Sequence, residues 1–482
     1  MAKRIGVAAS GSAEVTQTAV DILEAGGNAF DAVLGALCTA SIAEPLLASL
    51  GGGGFLLALP DGQRPLVYDF FCQTPQKHRP EDEIDFFPII ANFGTAEQEF
   101  QIGLGSSAVP GVVAGIFEAH GDLGRMPIAE IMSPAAKLAR SGVEVDYFHA
   151  YIARILETIM RATPESFALY ESPSNPGELI TQGELHRNPE AAAAFDSLIG
   201  EGPDLFYRGE WARQLADDCA EKGGLITMDD LASYRVERRD PVVFRYRGTR
   251  VAINPPPSPG GCLVAFALGV LSDWDRGDAE WGSQDHMMNL LRGMRAASVA
   301  RHTFSMEAGL DREVMGHLLD PQTIRDWQAS LELHSLFSRG TTHISVADGD
   351  GNIASLTASN GEGCSYVLPG TGIMLNNMLG EEDLHPAGFN RWKPGTRLAS
   401  MMSPAVAQAP DGTRYALGSG GSNRIRSAVT QVLLNLFEFG MTPGQAVAAP
   451  RIHLEGQLLS TEPGIPKAAL DALDAAVPSS HH

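Results

Sequence analysis

The sequence has few positive charges, no paired-cysteine motif and no long uninterrupted apolar run. Its 35 lysines and arginines stand against 58 aspartates and glutamates, which gives a formal net charge of −23. A surface of that sign repels nucleic acids and anionic membranes, so we expect neither as a partner. Of the 482 residues, 44% are hydrophobic and 19% are charged. This composition predicts a large buried core, in two or three domain-sized units or in one layered domain.

Cysteine usage excludes two further classes of protein. The five cysteines are odd in number, lie far apart in the sequence and form no CxxC pair. Disulfide scaffolds and zinc sites need paired or closely spaced cysteines, so this pattern favours reduced thiols in the core. We therefore expect no metal site and no cofactor. The cysteines are Cys38, Cys72, Cys219, Cys262 and Cys364.

The N-terminus and the most apolar window both argue against membrane segments. Polar residues from Ser10 onward interrupt the first stretch before an apolar block of signal-peptide length forms, which predicts a cytoplasmic protein. The most apolar window is residues 33–60, but Glu44-Pro45 and the glycines at 51–54 break it. We interpret this window as a buried helix, a glycine turn and a buried strand.

Apolar spacing predicts alternating helices and strands in the first half of the chain. The expected elements are helices at 13–25 and 29–40 and strands at 55–59 and 66–70. Residues 108–221 are mostly helical in pattern. Within them, Pro110-Gly111 and Pro134 are each predicted to open a helix, because proline suits the first helical turn.

A β-hairpin is the clearest local prediction. Residues 343–347 and 352–357 both favour strand, and the Asp and Gly residues between them form a chain-reversing turn. Folding the hairpin about the centre of that turn places Thr341 opposite Ala358 or Ser359 on the neighbouring strand. A hydroxyl neighbour for Thr341 therefore follows from spacing alone.

The junction Gly340-Thr341 at the start of this hairpin has two interpretations. Thr341 is either an ordinary strand residue or the N-terminal nucleophile of a chain that cuts itself before this residue. A cut would give Thr341 a free α-amine with an ordinary pKa of about 7.7–8.0, so one residue would supply both nucleophile and base. Glycine at position 340 reduces crowding around the carbonyl to be attacked. Spacing alone does not choose between the two.

Ten motifs, in order and spacing, resemble the γ-glutamyltransferase (γ-glutamyltranspeptidase) family over nearly the whole chain. The resemblance implies an α+β fold of the Ntn-hydrolase type, an αββα four-layer sandwich in which helices flank two stacked, mainly antiparallel sheets. It also implies self-cleavage into a large fragment, 1–340, and a small fragment, 341–482, which together form one intertwined domain. The motifs lie at 21–31, 44–45, 51–55, 110–115, 229–234, 255–261, 341–343, 372–377, 402–404 and 418–422.

The same resemblance assigns catalytic roles. Thr341 becomes the nucleophile, with the cut at the Gly340–Thr341 bond, and Ser359 becomes the hydroxyl that positions it. The backbone N–H groups of Gly421 and Ser422 become donors of an oxyanion hole. The implied activity is hydrolysis or transfer of acyl groups from γ-glutamyl-like or other N-acyl small-molecule amides through an acyl-enzyme.

Departures from the family pattern cluster where the family holds its glutamyl substrate. Phe71 stands where the family places an arginine that binds the substrate carboxylate. The other candidate substrate-binding residues, each altered or shifted relative to the family or next to such a change, are Asn360, Met378, Glu381, Ser400 and Met401. We therefore expect an acyl group that is more apolar than glutamyl or differently charged. The alternative is that Phe71 and the two methionines are simply core residues.

Two other functional classes stay under consideration. Residues 103–108 loosely match the glycine fingerprint of dinucleotide-binding oxidoreductases, but no buried apolar strand precedes them and Pro110 interrupts the helix that should follow. The second alternative is an unprocessed, inactive family member that acts as a binding or scaffold protein. The sequence leaves the assembly state open, a homo-oligomer included.

Overall fold

The computed structural model describes residues 5–92, 97–304, 310–327, 340–385, 388–456, 458–477 and 479–481. The chain divides into two compact units. Unit 1 consists of Met1–Arg239 and Gly340–Leu398, and unit 2 consists of Asp240–Arg339 and Ala399–His482. Each unit therefore combines residues from both sides of Gly340. The division into large and small fragments at this residue stays a prediction.

Helices and strands alternate along the described residues. The strands are β1 (Gly6–Ser10), β2 (Gly53–Leu59), β3 (Leu66–Phe70), β4 (Phe87–Asn92), β5 (Glu97–Ile102), β6 (Val143–Glu144), β7 (Leu185–His186), β8 (Glu237–Arg239), β9 (Val242–Tyr246), β10 (Thr249–Ile253), β11 (Thr342–Asp348), β12 (Ile353–Ser359), β13 (Val367–Leu368), β14 (Ile373–Met374), β15 (Ala405–Gln408), β16 (Arg414–Leu417), β17 (Ile452–Glu455), β18 (Leu458–Thr461) and β19 (Ser479–His481). The helices are α1 (Ala13–Glu24), α2 (Ala29–Ala43), α3 (Val112–Leu123), α4 (Ile128–Ser141), α5 (Tyr147–Ile155), α6 (Glu157–Met160), α7 (Pro164–Tyr170), α8 (Pro189–Glu201), α9 (Asp204–Tyr207), α10 (Glu210–Lys222), α11 (Met228–Ser233), α12 (Gly260–Leu271), α13 (Gln284–Thr303), α14 (Arg312–Leu318), α15 (Pro321–Trp327), α16 (Arg424–Phe437), α17 (Pro443–Ala448) and α18 (Lys467–Ala476).

Unit 1 contains a six-stranded sheet in the order β1-β11-β12-β2-β3-β8, and every neighbouring pair is antiparallel. Strand residues alternate between the two faces of a sheet, so every second residue of a strand faces the same layer. Leu56 on β2, Ile344 on β11 and Leu356 on β12 belong to one core cluster together with the buried residues of α2. This packing fixes one face of the sheet against helices and leaves Ser359 and Thr357 on the other.

The predicted hairpin is confirmed as β11 and β12. Thr342 pairs with Ala358, and Ala347 pairs with Ile353. The Asp348 carboxylate accepts hydrogen bonds from the backbone N–H groups of Asp350 and Asn352 at 2.9 and 3.0 Å, which stabilises the turn in the way aspartate commonly does. The register places residue 341 opposite residue 359, as the sequence predicts.

The apolar window at 33–60 folds as expected, into the buried helix α2, a glycine turn and the buried strand β2. Asn28 caps α2, because its side chain accepts hydrogen bonds from the N–H groups of Phe30 and Asp31. Among the described residues, no helix has the length and apolarity needed to cross a membrane. The five cysteines are all free and buried, which confirms the prediction of core thiols.

Two predictions in the helical region have different outcomes. Helix α3 begins at Val112, directly after Gly111, as predicted. The prediction for Pro134 is wrong, because Pro134 lies inside α4, which begins at Ile128. Proline lacks an N–H, so it costs α4 one backbone hydrogen bond, and the surrounding helix tolerates the loss.

The dinucleotide interpretation finds no support in the fold. Within residues 103–108 the chain makes a short 3-10 turn at Leu104–Ser106. The strand before it, β5, belongs to a two-stranded antiparallel hairpin with β4. A dinucleotide fingerprint needs a parallel strand that leads directly into a helix, and this segment provides neither.

Unit 2 has its own antiparallel sheet, in the order β16-β15-β10-β9. A second, three-stranded sheet joins β17, β18 and β19. A hydrophobic core cluster in unit 2 contains residues of α12, α13, α16, β17, β18 and α18. Leu434, Leu454 and Leu473 of this cluster are fully buried. Helix α16, which follows the glycine-rich segment at 418–422, is thereby anchored in a hydrophobic core.

Candidate active site

Two hydroxyl groups converge on the carbonyl oxygen of Gly340. Thr341 Oγ1 donates to this oxygen at 2.6 Å, and Ser359 Oγ donates to it at 2.9 Å. The backbone N–H of Gly361 donates to Ser359 Oγ at 2.9 Å, which holds the serine hydroxyl in place. The position of Ser359 beside the junction confirms the placement predicted from the hairpin register. Its role in catalysis stays a prediction.

A buried glutamate that sequence reasoning did not single out also touches the junction. The N–H of Gly340 donates to Glu362 Oε1 at 3.2 Å, and the N–H of Glu362 donates to Asn377 Oδ1 at 3.0 Å. Glu362 is 6% exposed. In the sequence, the signal for Glu362 is its position in the segment after Ser359, which departs from the family pattern.

The Thr342 side chain lies on the face of the sheet opposite to Ser359 and is held there by Glu44. Its hydroxyl donates to Glu44 Oε2 at 2.8 Å, and both side chains are buried. Burial raises the pKa of the Glu44 carboxyl, and the hydrogen bond from Thr342 opposes that shift. The Glu44-Pro45 motif therefore anchors the residue that follows the predicted nucleophile.

His343 is engaged at both ring nitrogens. Nδ1 lies 2.8 Å from Thr357 Oγ1, and Nε2 lies 2.9 Å from Ser345 Oγ. Burial lowers the pKa of His343 to about 3, so the ring is neutral at physiological pH. A neutral imidazole with both nitrogens occupied links β11 to β12 and is poorly suited to act as a general base.

Phe71 lies in the core next to the candidate site. The residue follows β3, and its ring stacks on Phe55 with centroids 5.4 Å apart. Its carbonyl accepts hydrogen bonds from Tyr234 Oη at 2.8 Å and from Arg397. Phe71 is 1% exposed, which fits the core interpretation, whereas a substrate contact stays a prediction.

Three other candidate substrate residues lie in unit 1, and two of them, Asn360 and Glu381, are next to Gly361. Asn360, Met378 and Glu381 are all buried. A side-chain carbon at position 361 would lie 2.4 Å from Glu381 Oε1, and Gly361 has a φ of +62°, so only glycine fits there. The Asn360 amide nitrogen donates weakly to the Leu375 carbonyl at 3.4 Å. These residues are brought together in one unit, and their roles stay predictions.

In unit 2, Ser400 and Met401 precede the buried Met402-Ser403 pair. The Ser400 hydroxyl accepts a hydrogen bond from the N–H of Met402 at 3.1 Å, and the Met401 carbonyl accepts one from Ser403 Oγ at 2.8 Å. Met401 is 9% exposed. Both residues therefore stabilise the turn that leads into β15.

The glycine-rich segment at 418–422 ends in a strained turn. Gly421 has a φ of +109° and Ser422 a φ of +47°, a left-handed conformation that costs a non-glycine residue about 1–3 kcal/mol. The N–H of Arg424 donates to the Gly421 carbonyl, and the N–H of Ile425 donates to the Ser422 carbonyl, each at 3.0 Å. We call residues 421–423 the glycine turn; it leads directly into α16.

A buried ionic cluster lies directly behind the glycine turn. Arg301 donates to Asn423 Oδ1 at 2.9 Å, and Arg426 donates to Glu455 Oε2 at 2.7 Å. His453 Nε2 lies 3.2 Å from the same carboxylate oxygen. Burial opposes ionisation of Glu455, but Arg426 and His453 outweigh it and lower the pKa of its carboxyl. Buried charges of this kind are tolerated because they are paired.

The described residues hold no group of three or more His, Cys, Asp or Glu side chains arranged to bind a metal ion. The junction in unit 1 brings together two hydroxyl groups and the carbonyl of a Gly-Thr peptide bond. Such a set is typical of acyl transfer.

Comparison with known proteins agrees with this chemistry. The family model described as gamma-glutamyltranspeptidase matches residues 15–479. The chain is 33% identical over 476 residues to the acylase ACY 1 proenzyme of Pseudomonas sp. (strain SE83), covering 94% of this chain and 83% of that protein. It is 30% identical over 480 residues to the glutathione hydrolase proenzyme of Escherichia coli (strain K12), covering 93% and 80%.

Solved structures give the same result. The cephalosporin acylase from Bacillus halodurans matches with a TM-score of 0.83 and 25% identity, covering 99% of this chain and 88% of that chain. The Helicobacter pylori gamma-glutamyltranspeptidase matches in fold, with a TM-score of 0.59 at 24% identity, covering 69% and 93%. The expected α+β fold of Ntn-hydrolase type is thereby confirmed. The chain belongs to the gamma-glutamyltranspeptidase family of Ntn hydrolases, enzymes that act on amide bonds.

Proposed function

We propose that the chain is a proenzyme that cuts its own Gly340–Thr341 bond and then hydrolyses small-molecule amides or transfers their acyl groups. One observation carries the proposal: the Gly340 carbonyl oxygen accepts hydrogen bonds from both Thr341 Oγ1 and Ser359 Oγ. The first hydroxyl is the nucleophile at the start of its approach. The second is a donor placed where negative charge develops on that oxygen.

In the cutting step, Thr341 Oγ attacks the carbonyl carbon of Gly340. The C–N bond breaks, the hydroxyl proton ends on the Thr341 nitrogen, and an ester joins Gly340 to Thr341 Oγ. Water then hydrolyses the ester, which releases the Gly340 carboxylate and leaves Thr341 with a free α-amine. Ser359 stabilises the oxyanion through its hydroxyl.

In turnover, the Thr341 amine accepts the hydroxyl proton while Oγ attacks the substrate amide carbonyl. The same proton passes to the departing amine, and the acyl group stays on Oγ as an ester. Water, or an acceptor amine, then takes the acyl group. We assign the N–H groups of Gly421 and Ser422 to the oxyanion in these steps. The engaged, neutral state of His343 supports the amine as the base.

The acyl group is proposed to be one other than γ-glutamyl. Phe71 supplies no cation for a glutamyl carboxylate, and Met378 and Met401 add apolar surface. A zwitterionic glutamyl head would lose its bidentate arginine contact, which makes glutathione a poor substrate in this proposal. The acylase relatives support an acyl group of different chemistry.

The test uses the purified full-length protein. Denaturing electrophoresis and mass spectrometry should give fragments 1–340 and 341–482, and sequencing of the smaller one should begin Thr-Thr-His. The p-nitroanilides of γ-glutamic, hexanoic and phenylacetic acids then report acyl preference. We expect the γ-glutamyl compound to have a kcat/KM at least about tenfold below the best of the other two. A preference for γ-glutamyl would overturn the substrate proposal. An intact chain that hydrolyses none of them would favour a binding or scaffold protein.

A further inference from the structure

The N–H group of Gly340 is bound by a buried carboxylate that the proposed chemistry has not used. Glu362 Oε1 accepts this N–H at 3.2 Å, and Glu362 is 6% exposed. The Glu362 N–H in turn donates to Asn377 Oδ1 at 3.0 Å, and Asn377 is buried. The backbone that carries this carboxylate is therefore held in place, and it presents an acceptor to the Gly340 nitrogen.

Further acceptor atoms lie around the same nitrogen. A side-chain carbon on Gly361 would lie 2.1 Å from Asn377 Oδ1 and 2.4 Å from Glu381 Oε1. A side-chain carbon on Gly340 would lie 3.6 Å from the Gly361 carbonyl oxygen and 3.7 Å from that of Leu46. All of these residues belong to unit 1. A group that donates hydrogen bonds is therefore favoured beside Gly340, and a carboxylate is disfavoured there.

Gly340 is itself an acyl group in the proposed cutting step. The ester formed there joins the Gly340 carbonyl carbon to Thr341 Oγ, so it is an acyl-enzyme whose acyl group is a glycine residue. A substrate acyl group on the same oxygen has its carbonyl carbon at the same place, and its α-substituent then takes the place of the Gly340 nitrogen. A substrate with no N–H at that atom leaves Glu362 Oε1 without the donor that Gly340 supplied. Loss of a donor to a buried acceptor weakens both binding and reaction.

We propose that Glu362 selects acyl groups with an N–H on the carbon next to the carbonyl, so that the preferred substrates are glycyl or N-acylglycyl amides. Leu47 limits the side chain of that acyl residue, because a carbon on Gly340 would lie 3.3 Å from Leu47 Cδ2. The leucine has to shift to admit a methyl group there, so alanyl groups fit less well than glycyl groups. The inference rests on the proposed function, since it takes the cutting site as the site of turnover.

The experiment compares p-nitroanilides that differ only in the atom attached to the α-carbon of the acyl group. Glycyl is paired with propanoyl, and N-acetylglycyl is paired with 4-oxopentanoyl, in which a methylene replaces the N–H. Released p-nitroaniline is measured with the processed wild-type protein. We expect kcat/KM to be higher by about tenfold or more for the N–H member of each pair. Ratios of one or less in both pairs would overturn the inference and leave the proposed function in place.

Glu362→Gln, measured on cut protein, tests whether the carboxylate sets this preference. The amide oxygen still accepts an N–H but carries no charge, so the glycyl ratio should fall towards one while the N-acetylglycyl ratio keeps part of its value. Glu382→Gln is the matched control, because it removes one negative charge from an exposed glutamate of the same unit and should keep both ratios. Equal losses in the two variants would mean that net charge sets the preference and would overturn the assignment to Glu362.

Leu47→Ala is a second variant, which leaves Glu362 intact. It removes the side chain that crowds the α-carbon, so kcat/KM for the L-alanyl p-nitroanilide should rise about threefold or more relative to the glycyl compound. An unchanged ratio would overturn the placement of the acyl residue at the position of Gly340. A wild-type chain that stays uncut and hydrolyses nothing would overturn the proposed function instead.

Discussion

The β11–β12 hairpin of unit 1 and the glycine turn of unit 2 are stabilised by different kinds of contact. In the hairpin, regular strand pairing and neutral hydroxyl contacts place Thr341 and Ser359 at one carbonyl oxygen. In the turn, two residues with positive φ are backed by buried arginines and a glutamate. A pair of neighbouring strands is positioned by its own backbone and cross-strand contacts. A turn with a strained backbone is instead held by side chains from distant parts of the sequence.

The comparison also separates the two proposed reactions. Cutting depends on groups of the hairpin, because both donors to the Gly340 oxygen lie there. In the proposed mechanism, turnover depends in addition on the glycine turn. Variants in the two regions should therefore have different effects on cutting and on turnover, and the following predictions use that difference.

The largest effect is expected for Thr341→Ala, which removes the proposed nucleophile of both proposed reactions. The variant should remain a single chain of 51.3 kDa without amidase activity. Thr341→Ser keeps a hydroxyl and should still be cut, at a lower rate. Electrophoresis of freshly purified protein measures the outcome, and two fragments from Thr341→Ala would refute the assignment of the nucleophile.

The next largest effect is expected for Ser359→Ala, which deletes one donor to the Gly340 oxygen. Loss of such a donor typically reduces a rate by about 10²–10³-fold, so uncut precursor should accumulate. Ser355→Ala is the control, because Ser355 is a buried serine on the same strand, paired with Ser345 away from the junction. A time course of precursor cutting measures the rates of the two variants. Equal rates for the two variants would remove Ser359 from the mechanism.

Glu455→Gln, in unit 2, should reduce turnover and leave cutting intact, whereas Ser359→Ala should slow cutting. The change weakens the hold of Arg426 and Arg301 on the segment behind the glycine turn, and small displacements of catalytic groups cost up to about 10²-fold. We expect kcat to fall about tenfold with KM nearly constant, while the chain is still cut. Ser298→Ala, which removes only a 3.2 Å contact to Arg426, should have a smaller effect. A variant that is neither cut nor active would mean that the cluster supports folding and not the turn alone.

The smallest effect is a pH dependence of stability at Glu44. Burial raises its pKa above the ordinary value of 4.5, so the folded state binds this proton more tightly than the unfolded state. The favourable contribution is complete below pH 4.5 and is lost as pH rises through the folded-state pKa. Glu44→Gln should therefore stabilise the protein relative to wild type more at pH 8 than at pH 4, as measured by urea unfolding. Glu24→Gln, at an exposed glutamate of α1, is the control, and a larger gain at pH 4 would contradict the prediction.

Sequence patterns predicted the local elements of the site well. The hairpin, its register and the nearness of Ser359 to Thr341 follow from alternation and from the turn residues, because strand pairing is set by local spacing. The burial of residues 33–60 follows from their apolar composition. Pro134 was mispredicted because a proline rule for helix starts ignores the packing that carries α4 through it.

Contacts between distant residues were beyond such reasoning. Glu362 and Gly340 meet only because the Gly361 turn folds back beside the junction, and Arg301 reaches Asn423 across more than a hundred residues of sequence. Nothing in the local pattern around Arg301 or Glu455 marks them as neighbours of the glycine turn. Charged side chains pair according to their positions in the folded structure. Their spacing along the sequence does not reveal which of them will pair.

The sequence by itself determined the family, the reaction class and the strand that follows Thr341, because these depend on short motifs and on the alternation of residues along a strand. Only the tertiary structure decided which acceptor faces Gly340 and how the glycine turn is supported. The physical reason is that hydrogen bonds and ion pairs act over a few ångströms. Which groups come within that range is settled when the whole chain packs.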